Sequence, residues 1–309
     1  MAISVIIPAY NAAATLAAAV NSAVASSRDG GEVIIVDDGS TDDTYRVALD
    51  LQRQNLDLVK VIQQSNRGSS AARNAGMDIA SRPYQMFLDA DDCLLPDGVR
   101  DLLRLGMERR AEMIIGLAIV KRAGGVVEQD ADHFRGATDL ERFVRSWWGV
   151  STVLIKNGKL RWRDDMQIWE VTEFFARHLL IGCSVAYSES FVTVLDERHS
   201  EARVTHRFDH YEPLRMAMFF NRLKRDAETF GKCDPGFASA VDRFVLGSLY
   251  QAVRQGASIR DIERKIVFHP DILATYEWYR SLNMAGFCRL FGIGLGLKLF
   301  AGLARLAGR

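Results

Sequence analysis

Short apolar runs rich in β-branched residues punctuate the first third of the chain. Ile3 to Ile7, Val33 to Val36, Leu58 to Ile62 and Tyr84 to Leu88 each read as a buried strand. The stretches between them carry helical spacing. Asn11 is placed to cap a helix whose apolar positions include Leu16, Val20, Ala23 and Val24. Ser40 and Asp43 sit at capping-box spacing, with Asp for the usual Glu, and predict a helix from Thr41 to Gln54. Asn66-Arg67-Gly68 turns the chain into a helix over Ser69 to Ala80. Continuous apolar strands alternating with helices predict a parallel sheet covered on both faces.

After Asp97 the alternation loosens. A helix is expected through Leu102, Leu103 and Leu105 to Met107, a strand over Met113 to Val120 and a helix over Thr138 to Trp147. Thr152 to Ile155 is strand-like. A loop from Leu160 to Ile168 carries Trp162, Arg163, Asp164 and Asp165. Trp169 to Leu180 reads as a helix, followed by two strands, near Val185 to Tyr187 and Phe191 to Leu195. From His206 onward long helical patterns dominate, including Pro213 to Phe230 and Phe237 to Gln255. The expected organisation is therefore an α/β domain over 1–205 and a helical region over 206–309.

Parallel sheets bind ligands outside the carboxyl ends of their strands. Three polar clusters fall at such ends: Pro8-Ala9-Tyr10-Asn11, Asp37-Asp38 and Asp89-Ala90-Asp91-Asp92. Packed carboxylates repel unless a cation or hydrogen bonds compensate. Their oxygens suit a hard ion such as Mg²⁺ or Mn²⁺. In an extended chain Asp89 and Asp91 would share a face and could grip a diphosphate through the metal. The plainer reading is an acidic helix start before Pro96 and Asp97. Neither GxGxxG after the first strand nor GxxxxGK[ST] occurs.

Composition narrows the partners. Among 309 residues, Lys plus Arg equals Asp plus Glu at 39 each, so no global field favours nucleic acid. Cys93, Cys183, Cys233 and Cys288 are far apart and make no zinc spacing, which points to a reduced, cytoplasmic setting. The N-terminus passes straight into a strand pattern, so no signal peptide is expected. No apolar run approaches the ~20 residues of a membrane-spanning helix. From Ser281 to Arg309 there is no acidic residue. A stripe of Leu295, Leu299, Leu303 and Leu306 accompanies Lys298, Arg305 and Arg309, a pattern suited to peripheral contact with an anionic membrane face.

The segments SVIIPAYNAAATL, VIIVDDGSTDDT, NRGSSAARNAG, MFLDADD and EVTEFFARHL occur in that order. With them the chain resembles glycosyltransferase family 2, inverting enzymes of the GT-A fold, over about residues 3 to 200. The resemblance implies a Rossmann-like, mainly parallel central sheet flanked by helices, with the helical C-terminal region as an extension. It also implies a nucleotide-sugar donor, with UDP as the nucleotide, and a glycan or lipid-linked acceptor of surface polysaccharide assembly. Pro8, Ala9, Tyr10 and Asn11 would line the base pocket, Asp38 would accept a hydrogen bond from the base, and Arg73 and Ala90 would lie on the nucleotide. Asp91 would ligate Mn²⁺ or Mg²⁺, Asp89 would contact the ribose or the metal, and Asp92 would support them. His199 matches a basic or His position near the pyrophosphate and is a further metal candidate.

The chain departs from the family at Trp169-Glu170-Val171-Thr172-Glu173. Relatives read Gly-Glu-Asp here, and that Asp deprotonates the acceptor hydroxyl. Val171 takes no proton. Glu170, or Glu173 three residues on, stands in as base, or transfer is lost and the protein is a sugar-nucleotide-binding assembly subunit. A nucleotidyltransferase is the third reading, disfavoured by the DDGS and ARN matches.

Overall fold

The computed structural model describes residues 2–254 except 123, 147, 159, 167–168 and 198–211. The chain divides into two compact units, Met1–Arg135 with Ser146–His199, and Gly136–Arg145 with Ser200–Arg309.

In the first unit β1 (Ile3–Ala9), β2 (Glu32–Asp37), β3 (Val59–Gln63) and β4 (Tyr84–Phe87) are joined by α1 (Leu16–Ser27), α2 (Thr44–Gln54) and α3 (Ser69–Ile79). They are followed by β5 (Cys93–Leu94), α4 (Pro96–Arg109), β6 (Met113–Arg122) and β7 (Gly125–Glu128). The last three strands and helices placed here are β8 (Val153–Lys156), α6 (Glu170–Leu180) and β9 (Val185–Asp196), with α5 (Asp139–Arg145) belonging to the second unit.

All strands found among the described residues join one sheet in the order β3-β2-β1-β4-β8-β6-β9-β5, with β7 beside β6. The first four are parallel, as their helical crossovers require. Beyond β4 the pairing is mixed: β8 is antiparallel to β4 and β6, while β9 is parallel to β6. From β1 the chain winds outward to β2 and β3, then returns to place β4 on β1's other side. Such a reversal opens a crevice at the carboxyl ends of β1 and β4.

The odd-numbered residues of β1 (Ile3, Val5, Ile7) are fully buried in one cluster with Leu16, Ala19 and Val20 of α1 and with Val99 and Leu102 of α4. On the opposite face α3 lies close to the sheet. A β-carbon at Gly76 would stand 2.4 Å from Ile6 Cγ2. Burial of these aliphatic side chains is the main stabilising term, at about 1.5–3 kcal/mol for each one fully buried. Glu32 is buried at the other end of the sheet. It accepts hydrogen bonds from Ser4 Oγ, Lys60 Nζ and the Ser81 N–H and hydroxyl.

Several local expectations shift. The two strands expected after α6 are one, β9, because register irregularities between Ile115 and Ala118 of its neighbour β6 absorb the misfit. α2 begins at Thr44, not Thr41, because Asp42 Oδ1 accepts the Thr44 N–H at 2.9 Å. The expected caps are used elsewhere. Asn11 takes a left-handed conformation (φ 49°), and α1 starts only at Leu16.

The second unit contributes α5, α7 (Glu212–Thr229) and α8 (Pro235–Arg254). α7 and α8 are joined by an ion pair, Lys224 Nζ to Asp242 Oδ1 at 2.8 Å, with both side chains almost wholly buried. Among the described residues no helix is long and apolar enough to cross a membrane. The basic tail over 281–309 lies outside the described residues.

Candidate active site

The three clusters picked out by the sequence stand side by side, because β2, β1 and β4 are neighbours and run parallel. Ala9 is in register with Asp37, and the Leu88 N–H donates to Ile6 O, carrying β4's pairing to the brink of Asp89. Tyr10, Asp38 and Asp89 therefore leave the sheet at one edge. Tyr10 is half exposed, whereas Ala9, Asp37 and Asp38 are buried.

A web of short-range bonds shapes the rim. The Asn11 N–H donates to Ser40 Oγ, and Asn11 Oδ1 accepts the Thr41 N–H at 2.8 Å. Thr44 Oγ1 accepts the Ala12 N–H at 2.7 Å. Gly39 makes the fit: it has φ +71°, and a β-carbon there would sit 2.7 Å from the Asn66 backbone nitrogen. Asp38 is already engaged. Its Oδ1 accepts from Gln64 Nε2 and the Arg67 N–H, and its Oδ2 accepts from the Gly68 N–H at 2.8 Å. A carboxylate has about four acceptor sites, so room for one more donor remains.

The acidic segment does not stay extended. The Asp92 N–H donates to Asp89 O at 3.0 Å, closing a turn. That turn, rather than the alternation of a strand, gathers the carboxylates. One oxygen from each of Asp89, Asp91 and Asp92 lies within 4.8 Å of the others. Asp92 is buried and accepts from Ser151 Oγ. This all-oxygen, like-charged set fits a hard divalent cation.

Arg73, on α3, lies beside it. Its side chain is 3% exposed; Nη2 donates to Asp89 Oδ1 at 3.0 Å and Nη1 stands 3.6 Å from Glu170 Oε1. Its carbon Cζ sits 4.6 Å from the centre of the Trp162 ring, which stacks on Phe174 at 4.0 Å. Trp162 is buried, and its loop is held to α3 by Asn74. Neither role of Trp162 nor that of Asn74 was apparent from the sequence, since both contacts span 88 or 89 residues and carry no local signal.

Glu170 and Glu173 part company. Glu170 opens α6 after Trp169 (φ 66°), and Ser69 Oγ donates to it at 3.4 Å. It thus joins Arg73 and, through it, the acidic turn. Glu173 is buried and pairs with Arg177 of its own helix at 2.6 Å. Residue 199 lies outside the described residues.

A sequence profile described as glycosyl transferase family 2 matches residues 4–167. The succinoglycan biosynthesis protein ExoU of Rhizobium meliloti is 31% identical over 252 residues, covering 73% of this chain and 72% of that protein. The chain spans only about a third of the length of the curated relatives it matches at 43% and 36% identity (33% and 30%). Among solved structures, TarS 1-349 of S. aureus in complex with UDP-GlcNAc superimposes with a TM-score of 0.71 at 17% identity, covering 99% of this chain and 92% of that one. A mannosyltransferase of Pyrobaculum calidifontis in complex with GDP-Man and Mn²⁺ gives 0.56 at 17% identity, covering 99% and 87%.

Proposed function

Since the chain belongs to glycosyl transferase family 2 and folds like its GT-A members, we propose that it transfers a sugar, with inversion, from a nucleoside-diphosphate donor to a hydroxyl of a glycan or lipid-linked acceptor. The observation that carries this reading is the shared guanidinium of Arg73, which ties Asp89 of the acidic turn to Glu170. A donor-side cluster and an acidic group suited to the acceptor side then meet at one sheet edge.

Tyr10 offers an exposed ring at the end of β1 for stacking on the base, and Asp38 retains acceptor capacity for a base N–H. Pro8, Ala9 and Asn11 shape that rim, and Arg73 and Ala90 flank the phosphates. Asp89 and Asp91 would hold Mg²⁺ or Mn²⁺, with Asp92 supporting them from its buried position. When bound, the ion supplies Lewis-acid neutralisation of the departing diphosphate. Glu170 takes the proton of the acceptor hydroxyl. The oxygen bonds to the anomeric carbon from the side opposite the leaving group, the carbon–oxygen bond to the diphosphate breaks, and the nucleoside diphosphate departs. UDP as the nucleotide and surface polysaccharide as the setting are supported by the TarS likeness and the ExoU relationship. The basic tail over 281–309 supports peripheral contact with the inner face of a membrane, from sequence alone.

Purified protein screened against nucleotide sugars with and without Mn²⁺ tests the reading. A UDP-sugar should raise the melting temperature in a metal-dependent way, and an added polysaccharide acceptor should release UDP. No stabilisation by any nucleotide sugar, with or without metal, would overturn it.

A further inference from the structure

The guanidinium of Arg73 is buried but only partly satisfied. Nη2 bonds to Asp89, whereas Nε and Nη1 make no hydrogen bond, and Nη1 stands just beyond that range from Glu170 Oε1. A buried cation with open donors is costly unless its neighbours supply charge. Here two carboxylates on different elements do so, one from the acidic turn and one from the first turn of α6.

The plane of the fork is set from below. Trp162 presents its ring to the guanidinium, with Phe174 stacked against the same indole. The next residue of α3, Asn74, grips the Trp162 backbone from both sides: Nδ2 donates to Trp162 O and Oδ1 accepts the Trp162 N–H. Consecutive residues of one helix thus hold ring and backbone of the same tryptophan. Arg73 has little freedom to follow either carboxylate away from the other. A planar fork holds two acceptors in a fixed geometry, which the rotatable donors of an ammonium do not.

We propose that Arg73 is a positioning residue that couples cation binding at the acidic turn to the state of Glu170, by dividing its charge between Asp89 and Glu170. This rests on the acidic turn being a cation site. A cation arriving at Asp89 competes with Nη2, and the displaced charge is taken up by Glu170. Conversely, removing the Glu170 charge leaves Arg73 wholly to Asp89 and opposes the cation. The coupling is reciprocal, as any linkage between two sites must be.

The test is a double-mutant cycle read as Mn²⁺ affinity of the full chain, by titration with detection of free Mn²⁺ and without nucleotide sugar or acceptor. Glu170→Gln should weaken Mn²⁺ binding about fivefold or more in the wild-type background, and by less than about twofold when Arg73→Met is present. An Arg73 that only supports the fold would lower the melting temperature and leave the Glu170→Gln factor the same in both backgrounds; that result would overturn the proposal. If Arg73→Met does not fold, Arg73→Gln carries the same cycle. Its neutral amide has no charge to divide between the carboxylates, so the Glu170→Gln factor should again fall, and an unchanged factor again rejects the coupling. A wild type that binds no Mn²⁺ rejects the cation site and the coupling with it. Mn²⁺ binding without coupling rejects this proposal alone.

Discussion

Asn74 and Trp162 exchange two hydrogen bonds, Nδ2 to the Trp162 carbonyl at 2.8 Å and the Trp162 N–H to Oδ1 at 2.9 Å. A side-chain amide thereby stands in for a strand partner and fixes a loop that has no ladder of its own. Asn74→Ala should leave the Trp162 N–H and carbonyl unpaired at a cost of about 1–3 kcal/mol. Denaturant unfolding monitored by tryptophan fluorescence measures it. Asn74→Asp keeps the acceptor for the Trp162 N–H but sets a carboxylate oxygen against the Trp162 carbonyl, so it should be destabilising as well. Equal stability of Asn74→Ala and wild type would show that the other contacts of the loop, the Trp162 ring and the Arg161–Asp78 ion pair among them, suffice to hold it.

Glu32 makes the fold acid-sensitive. Burial pushes its carboxyl up, but the hydrogen bonds from Lys60, Ser81 and Ser4 outweigh that and hold it at about 2, against 4.5 ordinarily. A carboxyl with a depressed folded-state value stabilises the fold above its unfolded value and loses that contribution as pH falls. Stability should therefore drop between pH 4.5 and about 2. Glu32→Gln should be less stable than wild type at neutral pH and should flatten this part of the curve. Parallel pH dependences of the two proteins in urea unfolding would count against the assignment.

The first half of the sheet was legible in the sequence because Ile3 to Ile7 and Val33 to Val36 are short, continuous apolar runs rich in β-branched residues, the pattern of a doubly covered strand. The order β8-β6-β9-β5 was not, since mixed pairing over long connections leaves no periodic mark. At the site, the density of carboxylates at Asp89, Asp91 and Asp92 announced itself, but its geometry did not. The Asp92-to-Asp89 turn replaces an extended segment, and only a backbone contact reveals it. Likewise Ser40, Asp42, Asp43 and Asn11 all carry capping chemistry. Tertiary contacts decide the competition: Ser40 and Asn11 bind each other's segments, leaving Asp42 to Thr44.

Asp91 should prove the residue on which metal-dependent donor binding turns. Losing one carboxylate from a three-carboxylate set removes a ligand and a charge together, while Asp89 keeps its bond to Arg73. Asp91→Asn should weaken Mn²⁺-dependent UDP-sugar binding about a hundredfold or more, since even outer partners of metal ligands cost 10–100-fold. Its melting temperature without ligand should stay close to wild type. Calorimetric titration of the nucleotide sugar with Mn²⁺ present measures the effect, and undiminished affinity would move the metal elsewhere.

Glu170 carries the heaviest demand, because Val171 occupies the position where the family's base is expected. The structure gives Glu170 what Glu173 lacks: Glu173 is committed to Arg177, whereas Glu170 faces Arg73 and Ser69 at the edge of the acidic turn. A positioned carboxylate contributes about 10²–10⁴-fold to proton transfer. Glu170→Gln should therefore lower kcat by that order in an assay of UDP release with acceptor. The affinity for nucleotide sugar with metal present should follow the cation affinity and change far less. Glu173→Gln should act mainly on stability by freeing Arg177, with kcat little altered. If Glu170→Gln transfers at the wild-type rate and Glu173→Gln does not, the roles are reversed. If wild type transfers to no acceptor while Val171→Asp gains transfer, the base was lost and the chain retains only the donor site.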